Sequence, residues 1–248
     1  MDEGGTRRDV QGWGRTALLA GVIAGVGSFL QALFFRIDAV GIVPSSPDFR
    51  ESGNGLEKDL ATFYVAFFER QHDIAWNIAI RDTVGPVASV AMIVLAWTFV
   101  RVRGRGRPRA EVWALVFAVG ALLNLLSDLV YLSQLGVWRF TGFTPEPPAD
   151  IIAAGRIAEA VSNLSGYLAT AAIVTLAVAL SGVAALLSPL LRLLALALVV
   201  VSLVSVVASL AFWDIVSDVT SILSGAVLGP VLLVGIGRWL AQPVDRTA

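Results

Sequence analysis

Asn124, Ser127, Asp128, Tyr131 and Gln134 fall at offsets of 0, 3, 4, 7 and 10 within one apolar stretch. On an α-helix those positions share one stripe. An ionised Asp at the centre of a membrane helix costs about 2.5–3.5 kcal/mol. Such a residue faces the bundle interior or water and takes a partner. Three further segments repeat the pattern. Arg156, Glu159, Asn163 and Tyr167 share one face of their segment, and Asp214, Asp218, Ser221 and Gly225 share another. Asp73, Asn77 and Arg81 do the same, with Asp82 beside them. A row of serines, Ser202, Ser205 and Ser209, belongs to the same class of polar positions in an apolar run.

The intramembrane carboxylates are Asp82, Asp128, Glu159 and Asp218, and the deep base is Arg81. Arg156 stands three residues before Glu159, at a spacing suited to pairing with it. Arg81 has the reach to bridge Asp128 or Asp218 and lock helices together. Four acids against two bases leave a negative excess, which a bound cation or bound protons can satisfy. Asn124, Tyr131 and Asn163 are the side chains expected to orient a solute.

The elements that carry these residues follow from composition. The chain has 248 residues, 56% hydrophobic and only 15% charged, with mean hydropathy +0.78. Soluble proteins carry about 25% charge. Apolar runs alternate with short charged stretches, the pattern of a multi-pass membrane protein. The expected fold is all-α: a polytopic integral membrane protein of six transmembrane helices, over about 16–36, 74–101, 112–137, 153–180, 190–212 and 215–239. Ser188-Pro189 supplies the break between the fourth and fifth. Arg7, Arg8 and Arg15 precede the first apolar run, which exceeds the core of a signal peptide and is expected to stay as a span.

Placing the N-terminus inside puts eleven Lys and Arg on inner segments against six on outer ones, which favours an N-in, C-in topology. The membrane domain then covers 16–240, between a cytoplasmic N-terminus at 1–15 and a cytoplasmic tail at 241–248. The basic inner loop 101–110 sets topology and could meet anionic lipid. The outer loop 37–73 ends in LEKDLATFYVAFFERQHD, where Leu56, Leu60, Phe63 or Tyr64, and Phe67 give one apolar face. A helix lying on the outer membrane surface, or capping the bundle, is expected there. By depth, the polar residues gather in the outer half, above an inner half that is nearly all Ala, Val, Leu and Ile.

Several chemistries drop out. The absence of cysteine removes disulfides, thiolates and zinc–sulfur sites. One histidine leaves little for a haem or a histidine-rich metal site, and no cofactor is expected. Glu69 and His72 form a single E-x-x-H pair, where a carboxylate-bridged dimetal site needs two. No basic–aromatic pattern suits nucleic acid. Gly21 and Gly25 form a G-x-x-x-G expected to pack inside the chain, and Gly229-Pro230 is expected to kink the last span. Trp76, Trp97, Trp138, Trp213 and Trp239 sit near span ends as interfacial belts.

The leading reading is non-enzymatic: an outward-facing acidic pocket that binds or transports a small cationic or protonatable solute. A second is an accessory membrane subunit, docked on a partner membrane protein, whose charges only hold helices together. A third is an intramembrane enzyme using its carboxylates on a lipid-like substrate. Abundant Ala, Val and Arg with one lysine fits the cytoplasmic membrane of a bacterium.

Overall fold

The computed structural model describes residues 3–36, 56–73, 75–104, 106–133, 148–211 and 213–242. Every element among them is helical, and six helices are long and apolar enough to cross a membrane. Helix α1 covers Glu3–Arg36 and α2 covers Leu56–Asp73. Helix α3 covers Ala75–Phe99 and runs into a π turn, Val100–Gly104. Helix α4 covers Pro108–Leu132, and α5 covers Pro148–Val183 with a closing 3-10 turn at Ala184–Leu186. Helix α6 covers Pro189–Leu210. The last span is divided into α7, Asp214–Ile222, a π segment, Leu223–Leu228, and α8, Gly229–Ala241.

Local chemistry explains the boundaries. Helix α4 starts earlier than the apolar run because Pro108 occupies its first turn with Glu111 behind it. The break expected at Ser188-Pro189 is present: Ser188 is extended and Pro189 opens α6. Arg192 then folds back, donating to the Ala184 and Ala185 carbonyls at 3.0 and 2.9 Å. It thereby satisfies orphan acceptors at the end of α5. The feature expected at Gly229-Pro230 takes the form of the π segment directly ahead of it. Pro230 has no N–H to give, and a widened turn absorbs that loss.

The six long helices form a ring. Helix α1 packs on α3, α3 on α4, α4 on α5, α5 on α6 and α6 on α7, and α8 closes against α1. Glycine makes the closure tight. A Cβ at Gly21 would lie 2.7 Å from the Leu233 carbonyl oxygen, and one at Gly237 2.7 Å from that of Ala17. The G-x-x-x-G therefore packs within the chain, as its spacing suggested. Small residues fill the inside, with Ala17, Ala24, Ala121 and Ala195 fully buried. Large aliphatic residues face outward, Leu19 at 63% and Leu115 at 66% exposure among many. An apolar coat of this extent suits lipid rather than water.

The arginine-rich turn sits beside the start of the first helix and the end of the last. The Arg101 guanidinium lies 4.6 Å from the Trp97 ring and 5.9 Å from Trp13, and that of Arg103 lies 4.7 Å from Trp239. These are cation–π distances. The start of α1, the α3–α4 turn and the end of α8 thus share one end of the ring. Gly106, at φ 74, makes the left-handed step that the turn into α4 requires.

Helix α2 packs at the opposite end, chiefly on α5. Its buried face centres on Tyr64 and Phe68, with Phe63 and Phe67 partly covered. The Tyr64 ring occupies the space where a Cβ at Gly155 would stand. The side chains of Leu56 and Leu60 lie outside the described residues, as do Gln134 and Trp138.

Candidate functional site

The Asp128 carboxylate is the centre of the polar end. It is buried, and it accepts from Gln31 Nε2 at 2.9 Å and from Asn124 Nδ2 at 3.3 Å. Asn124 lies one turn earlier on α4 and also donates to Ser89 Oγ of α3 at 2.9 Å. One carboxylate thereby joins α1, α3 and α4. Gly85 of α3 makes the approach possible: a Cβ there would overlap Asp128 Oδ2 and Gln31 Nε2.

Arg81 pairs with Asp82, a partner not expected of it beside Asp128 or Asp218. Its Nε and Nη2 donate to the two Asp82 oxygens at 2.7 and 3.0 Å. This is a two-pronged pair between sequence neighbours, and Asp82 is only 3% exposed. The Arg81 guanidinium also lies 4.9 Å from the centre of the Tyr131 ring. Tyr131 packs in turn on the aromatic cluster of α2. The pair is nearly neutral as a unit, so the remaining carboxylate, Asp128, carries the local excess.

Arg81, Asp82, Asn124, Asp128, Tyr131 and Gln31 open onto one cavity of about 580 Å³ in the middle of the ring. The lining is sorted by depth on every helix. Ser28 and Gln31 of α1 lie at the polar end. On α3 the lining passes from Arg81 and Asp82 down to Met92, and on α4 from Asp128 down to Phe117. On α5 it passes from Ser162 and Ser165 to Leu176 and Leu180. On α6 it passes from Ser205 and Ser202 to Leu198, and along the last span from Ser221 and Ser224 to Leu232. Neighbouring helices run in opposite directions, so these orders place the polar lining at one end, with Ala32 and Ile222 among it, and the large apolar side chains at the other.

Serines zip the walls. Ser127 Oγ donates to the Ser165 carbonyl at 2.9 Å and Ser165 Oγ to that of Ser127 at 3.0 Å, so α4 and α5 hold each other reciprocally. Between α6 and α7 the hydroxyls of Ser205 and Ser221 lie 2.8 Å apart, and those of Ser209 and Ser217 2.6 Å apart. Such bonds satisfy hydroxyls that lipid cannot.

The cavity is partly open to its surroundings, so solvent or lipid can enter it. Water suits the polar end, where each molecule finds several partners. It does not suit the apolar end, which offers none. The apolar half, lined by Met92, Phe117, Leu180, Leu198 and Leu232, is therefore a hollow and not a solid core.

Other expected site residues fall elsewhere. Glu159 is exposed and accepts from the Tyr64 hydroxyl at 3.2 Å, in place of the Arg156 guanidinium expected beside it. Asn163 and Tyr167 are exposed, Tyr167 at 73%. Asp218 is half-buried on α7, outside the cavity lining. Glu69 and His72 are exposed on α2, and among the described residues no three His, Asp or Glu side chains gather as a metal site would need. Sequence reasoning missed Gln31, Ser89 and Gly85. Gln31 carried a signal, being the one amide side chain in the otherwise apolar core of the first span. Gly85-Pro86 was visible as a dipeptide, but what it faces is a long-range fact.

Tyr64 is the titratable group of note outside the spans. Burial pushes its phenol above the usual value, and the hydrogen bond and negative charge of Glu159 add to the rise, with Arg156 opposing.

No family model, no curated protein and no solved structure matches this chain.

Proposed function

We propose that the chain is a cytoplasmic-membrane protein of a bacterium, N-in and C-in, whose cavity faces outward and binds a small cationic or protonatable solute at Asp128. One observation carries this reading. Asp128 lines a cavity of about 580 Å³ and is held there by two neutral amides, while Arg81 directs two bonds to Asp82. A buried carboxylate whose hydrogen bonds come from neutral amides attracts a cation or a proton. The arginine count supports the orientation, and α2 then lies over the outer mouth as a cap. The absence of polar lining in the apolar half favours binding over alternating access, which needs a second polar route.

The absence of native cysteine gives a direct test. Ser162→Cys and Ser202→Cys, both in the lining, are labelled in intact cells with a membrane-impermeant maleimide. The expected result is rapid labelling at both, slowed by methylammonium when Asp128 is present and not in Asp128→Asn. If neither site labels in folded protein, there is no outward cavity. Asp128 then acts only as a tie between helices, and the accessory-subunit reading takes over.

A further inference from the structure

We infer that the solute is a single-chain amphiphile, with a cationic head at Asp128 and an alkyl tail in the apolar half of the same cavity. The inference deepens the proposed function and rests on its reading of Asp128 as the partner of the cation.

A small cation needs only the polar end. The cavity continues well past it. Along α4 the lining runs from Asp128 to Phe117, about 16 Å at a helical rise of 1.5 Å per residue. Along α5 it runs from Ser162 to Leu180, about 27 Å on the same measure. Inward of Asn124 on α4, Ser165 on α5, Ser202 on α6 and Ser224 ahead of α8, no side chain that lines the cavity is polar. A buried water needs two to four polar partners. Nothing at the level of Phe117, Leu180, Leu198 and Leu232 supplies them, so hydrocarbon is the matter that fits.

On α3, α4, α5, α6 and the last span the lining changes from polar to apolar along the helix, which is the profile of one molecule with a head and a tail. Charge selects the head. The Arg81–Asp82 pair cancels itself, and Asp128 is left with amide donors. An ammonium can replace or join those amides at the carboxylate. Size selects a single tail. The volume falls inside the range of about 300–1,000 Å³ for single small-ligand pockets, which suits one compact ligand. The distance from Asp128 to Phe117 matches a tail of roughly twelve carbons.

The cavity lets the tail be measured. Purified Ser162→Cys protein in lipid nanodiscs is exposed to a maleimide with primary n-alkylammonium ions from methyl to hexadecyl, and with n-alkanols of equal length. Concentrations are corrected for the measured partition of each compound into protein-free nanodiscs. Protection should strengthen with chain length and stop strengthening near twelve carbons. A limit of this kind belongs to a closed space, because bilayer partition alone continues to rise. Ala169→Phe should move the limit to shorter chains, and Leu180→Ala should move it to longer ones. Opposite shifts from two substitutions cannot come from misfolding. Asp128→Asn should weaken protection by the amines at least ten-fold at every length and leave the alkanols little changed.

If methylammonium protects as well as dodecylammonium, and neither Ala169→Phe nor Leu180→Ala moves any limit, the tail is overturned while the small-cation reading survives. If no amine protects at any length, or alkanols protect equally and Asp128→Asn changes nothing, the cation at Asp128 is overturned, and the proposed function with it.

Discussion

Gly85 lies so close beneath the Asp128 carboxylate that a Cβ at position 85 would overlap both Asp128 Oδ2 and Gln31 Nε2. The carboxylate is thus pressed against the α3 backbone, one residue before Pro86. The position of the charge is set by the absence of a side chain opposite it.

Gly85→Ala should displace the Gln31–Asp128 bond and destabilise the bundle by about 1–3 kcal/mol, the usual cost of overpacking. Unfolding by SDS titration in mixed micelles reads the effect. Asp128→Ala combined with Gly85→Ala should lose less than the sum of the single changes, because the clash needs both partners. Additive losses would mean the glycine serves some other neighbour.

Gln31→Leu removes the shorter of the two amide bonds to Asp128 and leaves Asn124 as its described donor. The expected cost is about 1–3 kcal/mol, the range for a buried acceptor that loses a partner. The same unfolding titration decides it. A variant as stable as the parent would show that Asp128 takes its support from elsewhere.

Gly21→Leu and Gly237→Leu should each cost about 1–3 kcal/mol or more by forcing α1 from α8. The pair should be markedly non-additive, since one wedge already opens the seam. Mass measurement in detergent should give the same oligomeric state for parent and variants. A change of state on mutating Gly21 would move its G-x-x-x-G to a surface between chains.

Tyr64 should titrate above the ordinary tyrosine value of about 10, from burial first and Glu159 second. The fold holds the neutral phenol, so its contribution to stability is complete below the unfolded value and is lost as pH rises through the higher folded one. Absorbance at 295 nm follows the titration in a Tyr131→Phe, Tyr167→Phe background, which leaves Tyr64 alone of the three tyrosines. Glu159→Gln should lower the midpoint without restoring the free value, because burial persists. A midpoint already at the free value in the parent protein would place Tyr64 in water.

Much of the site was legible because membrane helices are monotonous. Asp128 and Asn124 stood out against leucine, and their four-residue spacing put them on one face. The partner Gln31 was not legible, because the identity of the facing helix depends on how six cylinders close into a ring. The pairing of Arg81 with Asp82 was missed for a local reason. Adjacent helical residues point about 100° apart, so a bond between Arg81 and Asp82 looked unfavourable beside a bridge between helices. The arginine side chain is long enough to curl back, and the burial of Asp82 rewards it. The hollow in the apolar half was invisible, since leucines that fill a core and leucines that line a space read alike. The six spans themselves needed only hydropathy and the Ser188-Pro189 break, and the small residues of α1 announced close packing without naming α8 as its partner.

The seam between α1 and α8 also sets an order of events during synthesis. The face of α1 that carries Gly21 and Gly25 meets its partner in the last span of the chain. Translation at about 5–20 residues per second separates Gly21 from Gly237 by roughly 10–40 s. Throughout that interval the ring is a crescent, with one side of its future interior turned to lipid. The first helix therefore waits in the bilayer for the last, and whatever shields its glycine face meanwhile must be something that α8 can displace.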